Sequence, residues 1–265
     1  MMTWKDFPFF VFLSCGLWLA GMLLLFPKKK ILEKLSIALI IAGAVSLAVF
    51  ITGLWISLER PVFRTLGETR LWYAMFLSLI SLVIYYKWRY KWLLAYCIMM
   101  SMVFLFITYF HPDTFDKTLM PALQSPWFIP HVIVYMISYA FLAAASLIGI
   151  KGLYLSYKMK PLEETFRLAD NIVYIGFAFL TIGMLLGALW AKVAWGHYWT
   201  WDPKETWALL TWLVYLLYIH FRINKNTNVK LALWILALSF FVMLICWFGI
   251  NYLPSAQDSV HVYSS

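Results

Sequence analysis

Apolar residues run along this chain in eight long stretches, at 7–26, 36–58, 71–86, 92–110, 131–153, 170–190, 206–221 and 231–252, separated by short polar breaks. A helix needs ~20 apolar residues to cross a hydrocarbon core of ~30 Å. Six stretches meet that length at least approximately, and the third and seventh reach it by taking a turn from their flanking loops. The breaks leave no room for a soluble domain, and neither a repeat period nor a low-complexity segment stands out. The pattern predicts an all-α integral membrane protein, a polytopic bundle of about eight transmembrane helices. It divides into an N-terminal four-helix region at 1–110 and a second region at 111–265, together one membrane domain.

Composition agrees with that reading. Hydrophobic residues make up 64% of the 265 positions and charged residues 12%, about half the charged share of a soluble domain. The net charge of +9 does not point to nucleic acid, because the cations sit in short loops between spans. The loops after spans one, three, five and seven hold fourteen of the 21 Lys and Arg, but only four of the twelve acids. That side is expected to be cytoplasmic, which puts both termini on the non-cytoplasmic side. The first run is followed by Lys28-Lys29-Lys30 and is expected to stay as an anchor. Cys15, Cys97 and Cys246 lie in apolar runs without a C-x-x-C pair, which argues against a redox relay, a zinc site or covalent haem attachment within the chain.

The orientation sorts the histidines. His111, His131, His197 and His261 fall outside, and His220 alone falls near the cytoplasmic end of span seven. The external loop at about 191–206 is the densest feature of the chain. Trp195-Gly196-His197-Tyr198-Trp199-Thr200-Trp201-Asp202-Pro203-Lys204-Glu205-Thr206-Trp207 holds five aromatics in thirteen residues. Flat aromatic surface flanked by His131 and His261 describes a site for haem, with one imidazole for each axial position of the iron. Arg60, Arg64, Arg70 and Lys204 are the external cations available to its propionates. Plainer readings stand beside these. Tryptophan collects at membrane interfaces without any ligand. Asp202-Pro203-x-Glu205 also has the form of a helix start, with Asp202 as cap. His111, before Pro112, ends span four. His220 is either a functional intramembrane group or a side chain reaching the interface beside Arg222. The charged stretch Glu59 to Arg70 is either a solvated loop or a contact for propionate or a partner.

Trp195-Gly196-x-x-Trp199-x-Trp201-Asp202 resembles the tryptophan-rich WWD signature of the haem-handling cytochrome c assembly proteins. The continuation Pro203-Lys204-Glu205-Thr206-Trp207, the segment Pro121-Ala122-Leu123-Gln124-Ser125-x-Trp127 leading to His131, and Tyr218-x-His220-x-Arg222 are similar to the CcsA/ResC branch. These matches span 121–222, and the first 110 residues resemble the family more loosely. The tail reads Val260-His261-Val262-Tyr263 where Gly-Leu-His-Ser-Tyr is usual in the family.

The resemblance implies a function. His131 and His261 would be axial ligands of haem b at an external site, on a platform of Trp195, Gly196, Trp199, Trp201 and Asp202. His220 would be one ligand of a second, inner site, completed by a histidine from a CcsB/ResB-like membrane subunit. The region 111–265 would be the cytochrome c assembly core. The chain would then be the haem-handling subunit of a System II cytochrome c synthetase. It would move haem across the membrane and present it to the C-x-x-C-H segment of apocytochrome c. Any holocytochrome c synthase (haem lyase) activity would arise together with the partner, since no side chain stands out as an acid or base and no catalytic residue is assigned. The alternatives are a CcmC-like exporter that loads a haem chaperone, and a structural subunit without haem. The expected setting is the bacterial cytoplasmic membrane, with the plastid thylakoid membrane as the other possibility.

Overall fold

The structure, a computed structural model, describes residues 1–115, 125–224 and 228–249. Among the described residues all regular structure is helical, and eight helices are long and apolar enough to cross a membrane. They are α1 Phe7–Leu25, α2 Lys30–Leu58, α3 Leu66–Trp88, α4 Lys91–Phe110, α5 Phe128–Tyr157, α6 Glu163–Trp195, α7 Pro203–Ile223 and α8 Val229–Trp247. The chain is therefore an all-α polytopic membrane protein. Its helices form two compact units, α1–α4 and α5–α8.

Each helix matches one apolar run, but several outlast it. α2 begins at Lys30, and its Glu33 accepts hydrogen bonds from Lys91 Nζ and the Tyr85 hydroxyl, both at 2.6 Å. α6 is 33 residues long, about 50 Å at 1.5 Å per residue, so its ends outreach a hydrocarbon core. Glu163 and Glu164 in its first turn complement the helix dipole. Apolar periodicity sees only the lipid-depth portion of such helices.

In the first unit, α1 packs on α2, α3 on α4, and α1 on α4. Trp18, Phe7, Phe50, Leu47 and Tyr73 fill its interior. The stretch 59–70 is not a solvated loop. Val62 and Phe63 are buried, Phe63 stacks on Trp72 at 4.7 Å, and Trp72 Nε1 donates to the Val62 carbonyl at 2.7 Å. Thr65 and Glu68 form a reciprocal cap on α3. Glu68 has no solvent exposure, and Arg60 grips it through two nitrogens at 2.8 and 3.1 Å. The same carboxylate accepts from the backbone N–H of Arg64 at 2.6 Å and of Thr65 at 3.1 Å. Arg60 is thus engaged in shaping the entry to α3, and Arg70 is buried.

In the second unit, α5 packs on α6 and α8, and α7 on α8 and α6. The small residues Ala143, Ala144 and Ala145 are buried on α5, allowing close helix approach. Serines then bond across the contacts. Ser138 Oγ donates to the Gly176 carbonyl on α6 and Ser146 Oγ to the Ala237 carbonyl on α8, each at 2.8 Å. α7 meets α6 through Trp212 Nε1, which donates to Thr181 Oγ1 at 3.0 Å. Nearer its C-terminus, Arg222 and the Tyr218 hydroxyl both bond Asp170. Lipid-facing apolar residues need no such partners, but these polar groups do.

Candidate functional site

The second unit presents a cluster of rings where α5 begins and α6 ends. His131 lies in the first turn of α5, just after Pro130. Its Nδ1 is 2.9 Å from the Gly183 carbonyl on α6. A carbonyl can only accept, so Nδ1 carries a hydrogen, and in the neutral ring Nε2 then holds the lone pair. That is the tautomer of a metal-ligating imidazole oriented by a backbone carbonyl. The ring lies 5.5 Å from Trp190 at an interplanar angle of 28°, and 4.7 Å from Tyr135. Trp190 in turn meets Phe128 at 5.2 Å and Trp195 at 5.3 Å. His131 and Trp195 are therefore joined through Trp190, a residue the sequence reading left inside an apolar run. Its only sequence signal was its spacing from Gly183 and Gly187, all on one face of α6.

The Trp-rich loop is tighter than its expected limits of 191–206, because α6 runs to Trp195 and α7 starts at Pro203. Gly196 ends α6 in the left-handed region at φ 83°. Its N–H donates to the Lys192 carbonyl at 3.1 Å, and its own carbonyl accepts from Lys192 Nζ at 2.7 Å. Open space surrounds a Cβ built there, so Gly196→Ala should cost only backbone strain, roughly 1–2 kcal/mol. Thermal unfolding in detergent micelles checks this: an unchanged midpoint would contradict the glycine's role as a cap.

Asp202 is the N-cap of α7, with Pro203 following and Glu205 completing the reciprocal cap. Its Oδ1 accepts from the Lys204 N–H at 2.8 Å, and the residue is 6% exposed. Glu205 reaches back over the loop. Its Oε2 accepts from the N–H of Thr200 at 2.8 Å and of Asp202 at 3.2 Å. Sequence reasoning took Glu205 only as part of a helix start, and its hold on the loop comes from the fold. Trp201 sits at φ 61°, a region costly for a bulky side chain. It is 67% exposed and meets Trp199 edge-on at 5.8 Å. The Trp199 indole nitrogen is buried with no hydrogen-bond partner among the described residues. A buried donor of that kind suits an anionic acceptor such as a propionate. Lys204 is half-buried beside Asp202 and Cys246.

The other candidates lie elsewhere. His197 is exposed. His111 ends α4 and lies 3.8 Å from Asp113. His220 is near the far end of α7, fifteen residues from Glu205, which is about 22 Å of helix rise. It is exposed on the surface of its unit, with Nδ1 3.0 Å from the Leu216 carbonyl. His261 and the segment 121–124 lie outside the described residues. Among the described residues no three His, Cys, Asp or Glu side chains gather as a metal cluster.

Comparisons with known proteins identify the family of the chain. A model of the "Cytochrome C assembly protein" family matches residues 63–256. A relative named "Cytochrome c biogenesis protein CcsA" from Porphyra purpurea is 32% identical over 89% of this chain and 90% of its own length. The protein of that name from Nicotiana tomentosiformis is 32% identical over 81% of this chain and 82% of its own. The Chlamydomonas reinhardtii protein is 44% identical, but the match covers 53% of this chain and 42% of that one. Among solved structures, "Cytochrome c Heme Lyase CcmF" superposes with a TM-score of 0.73 at 18% identity, over 97% of this chain and 49% of that one. At that identity the likeness establishes the fold. The family match covers well over half of the chain, and two relatives above 30% identity align along most of their length. This eight-helix membrane protein belongs to the cytochrome c assembly protein family.

Proposed function

We propose that this chain is the membrane haem-handling subunit of a cytochrome c synthetase. The observation that carries the reading is the imidazole of His131, fixed by the Gly183 carbonyl in the ligating tautomer and joined through Trp190 to Trp195. His131 and His261 hold the iron of haem b at the non-cytoplasmic end of the core, residues 111–265. Trp195, Gly196, Trp199, Trp201 and Asp202 form or shape the platform beside it. His220 serves an inner site completed by a histidine of a CcsB/ResB-like subunit. Haem is the substrate, supplying the vinyl groups to which the two apocytochrome thiols add. The chain's own side chains bind it, orient it and exclude water, which is how positioning contributes to rate. The relatives named above come from photosynthetic eukaryotes, which supports a thylakoid-type membrane as the setting.

The test is co-expression of the chain with a CcsB-like subunit and a c-type apocytochrome, followed by purification and a haem spectrum. A Soret band is expected with the wild-type chain. His131→Ala should abolish most holocytochrome formation and change the spectrum of the retained haem. Undiminished holocytochrome from His131→Ala would overturn the external site. Absence of any Soret band, even with haem supplied, would overturn haem handling as a whole.

A further inference from the structure

We propose that Gly183, Gly187 and Trp190 of α6 act together as positioning residues for His131, setting its tautomer, its depth and its ring plane. The proposal rests on the reading of His131 as a haem ligand and deepens it. The three residues are spaced by four and three, so they lie on one face of the helix. Each makes a different contact with the same imidazole. The Gly183 carbonyl takes the Nδ1 hydrogen at 2.9 Å. At Gly187 the ring occupies the space a side chain would need, since a Cβ there would lie 2.8 Å from Cε1 and 2.9 Å from Nδ1. Trp190 stacks on the ring at 28°.

One turn below the histidine on α5 the same fit recurs, where a Cβ at Gly183 would fall 2.5 Å from the Tyr135 ring. Tyr135 then supports the histidine from beneath at 4.7 Å. An imidazole is rigid and cannot yield by flexing its tip. A methyl at 187 has to turn or displace the ring at the edge that bonds Gly183, and both the tautomer lock and the direction of Nε2 are lost together.

Small residues also bring membrane helices together with no other role, and α6 contains a control for that reading. At Gly176 a Cβ would meet the Leu142 side chain at 2.7 Å and Phe141 Cβ at 3.1 Å, again between α5 and α6. No histidine is involved there, so crowding at Gly176, which also meets Leu142 Cγ at 2.9 Å, tests helix packing alone.

The experiment uses the full chain co-expressed with its CcsB-like subunit, with haem occupancy and spectrum read on purified complexes, with and without added imidazole. The variants are Gly187→Ala, Gly176→Ala, Trp190→Leu and His131→Ala. Gly187→Ala is expected to lower haem occupancy roughly 10-fold or more, the scale of losing an outer partner of a ligand. It should also shift the Soret band as His131→Ala does, and free imidazole should restore both variants. Gly176→Ala should keep the wild-type spectrum. If Gly187→Ala does not accumulate, Trp190→Leu carries the test, with a shifted spectrum expected and an unshifted one counting against the proposal. A wild-type spectrum for Gly187→Ala, with His131→Ala altered, overturns the positioning role and leaves the ligand reading standing. A loss in Gly187→Ala that imidazole repairs only in His131→Ala assigns the glycine to folding and also overturns it. A wild-type spectrum for His131→Ala removes the ligand reading itself, and the proposal with it.

Discussion

Replacing Glu68 by alanine is expected to destabilise the first unit by about 3–5 kcal/mol, the scale of stranding one member of a buried ion pair. Glu68 is fully buried and receives four hydrogen bonds, two from Arg60 and one each from the Arg64 and Thr65 N–H groups. The alanine variant leaves the Arg60 guanidinium, only 20% exposed, facing no anion at that point. It also removes the side-chain half of the reciprocal cap on α3, while Thr65 still accepts from the residue 68 N–H. The size of the loss comes from desolvation, so removing both charges should cost less than removing one. Arg60→Leu combined with Glu68→Leu is therefore expected to be more stable than Glu68→Ala. Unfolding of purified protein in detergent measures all three. A Glu68→Ala variant within 1 kcal/mol of wild type would show that the pair does not hold the entry to α3.

The second large effect is expected at Glu205. Its carboxylate ties Thr200 and Asp202 to the first turn of α7, and Thr200 Oγ1 lies 3.4 Å from the same oxygen. Hydrogen bonds to a charged acceptor contribute about 1.5–3 kcal/mol each. The clasp also offsets the positive φ of Trp201, a strain on the order of 1–3 kcal/mol. Glu205→Ala should release the loop while leaving the helices assembled. The amides of Thr200 and Asp202 are then expected to exchange with deuterium on the order of 100-fold faster, about 2.7 kcal/mol of local stability. Glu205→Gln, which keeps an acceptor oxygen, should lie between the two. Unchanged exchange at both amides in Glu205→Ala would mean that the loop is held by something else. If the proposed function is right, holocytochrome formation falls along the same series.

Much of the fold could be read in the sequence because lipid imposes a simple rule. Eight apolar runs became eight helices, and only their ends were missed. α3 shows why. Thr65-x-x-Glu68 is a helix-start signature, yet the charges around it made 59–70 read as a loop or a ligand contact. Asp202 as a cap and His111 at the end of α4 were visible because Pro203 and Pro112 follow them. The aromatic loop was visible through sheer density. Trp190 was not, since one tryptophan inside an apolar run carries no mark of what it touches. The roles of Gly183 and Gly187 depend on which α5 side chain lands on them, and no local pattern contains that. Likewise the family match begins at residue 63, well before the dense motifs of 121–222, because weak similarity spread over two helices does not register as a motif.

The polar links between α6 and α7 have a consequence for the C-terminal half of α7. Trp212 meets Thr181, and ten residues on Arg222 meets Asp170, so α7 is pinned to its neighbour at two heights. A helix fastened twice on one side cannot swivel. Its opposite stripe, with Leu210, Leu213 and Leu217 each 40–46% exposed and His220 one turn further, therefore keeps a fixed azimuth. The imidazole is thereby held in one direction on the exposed stripe of α7.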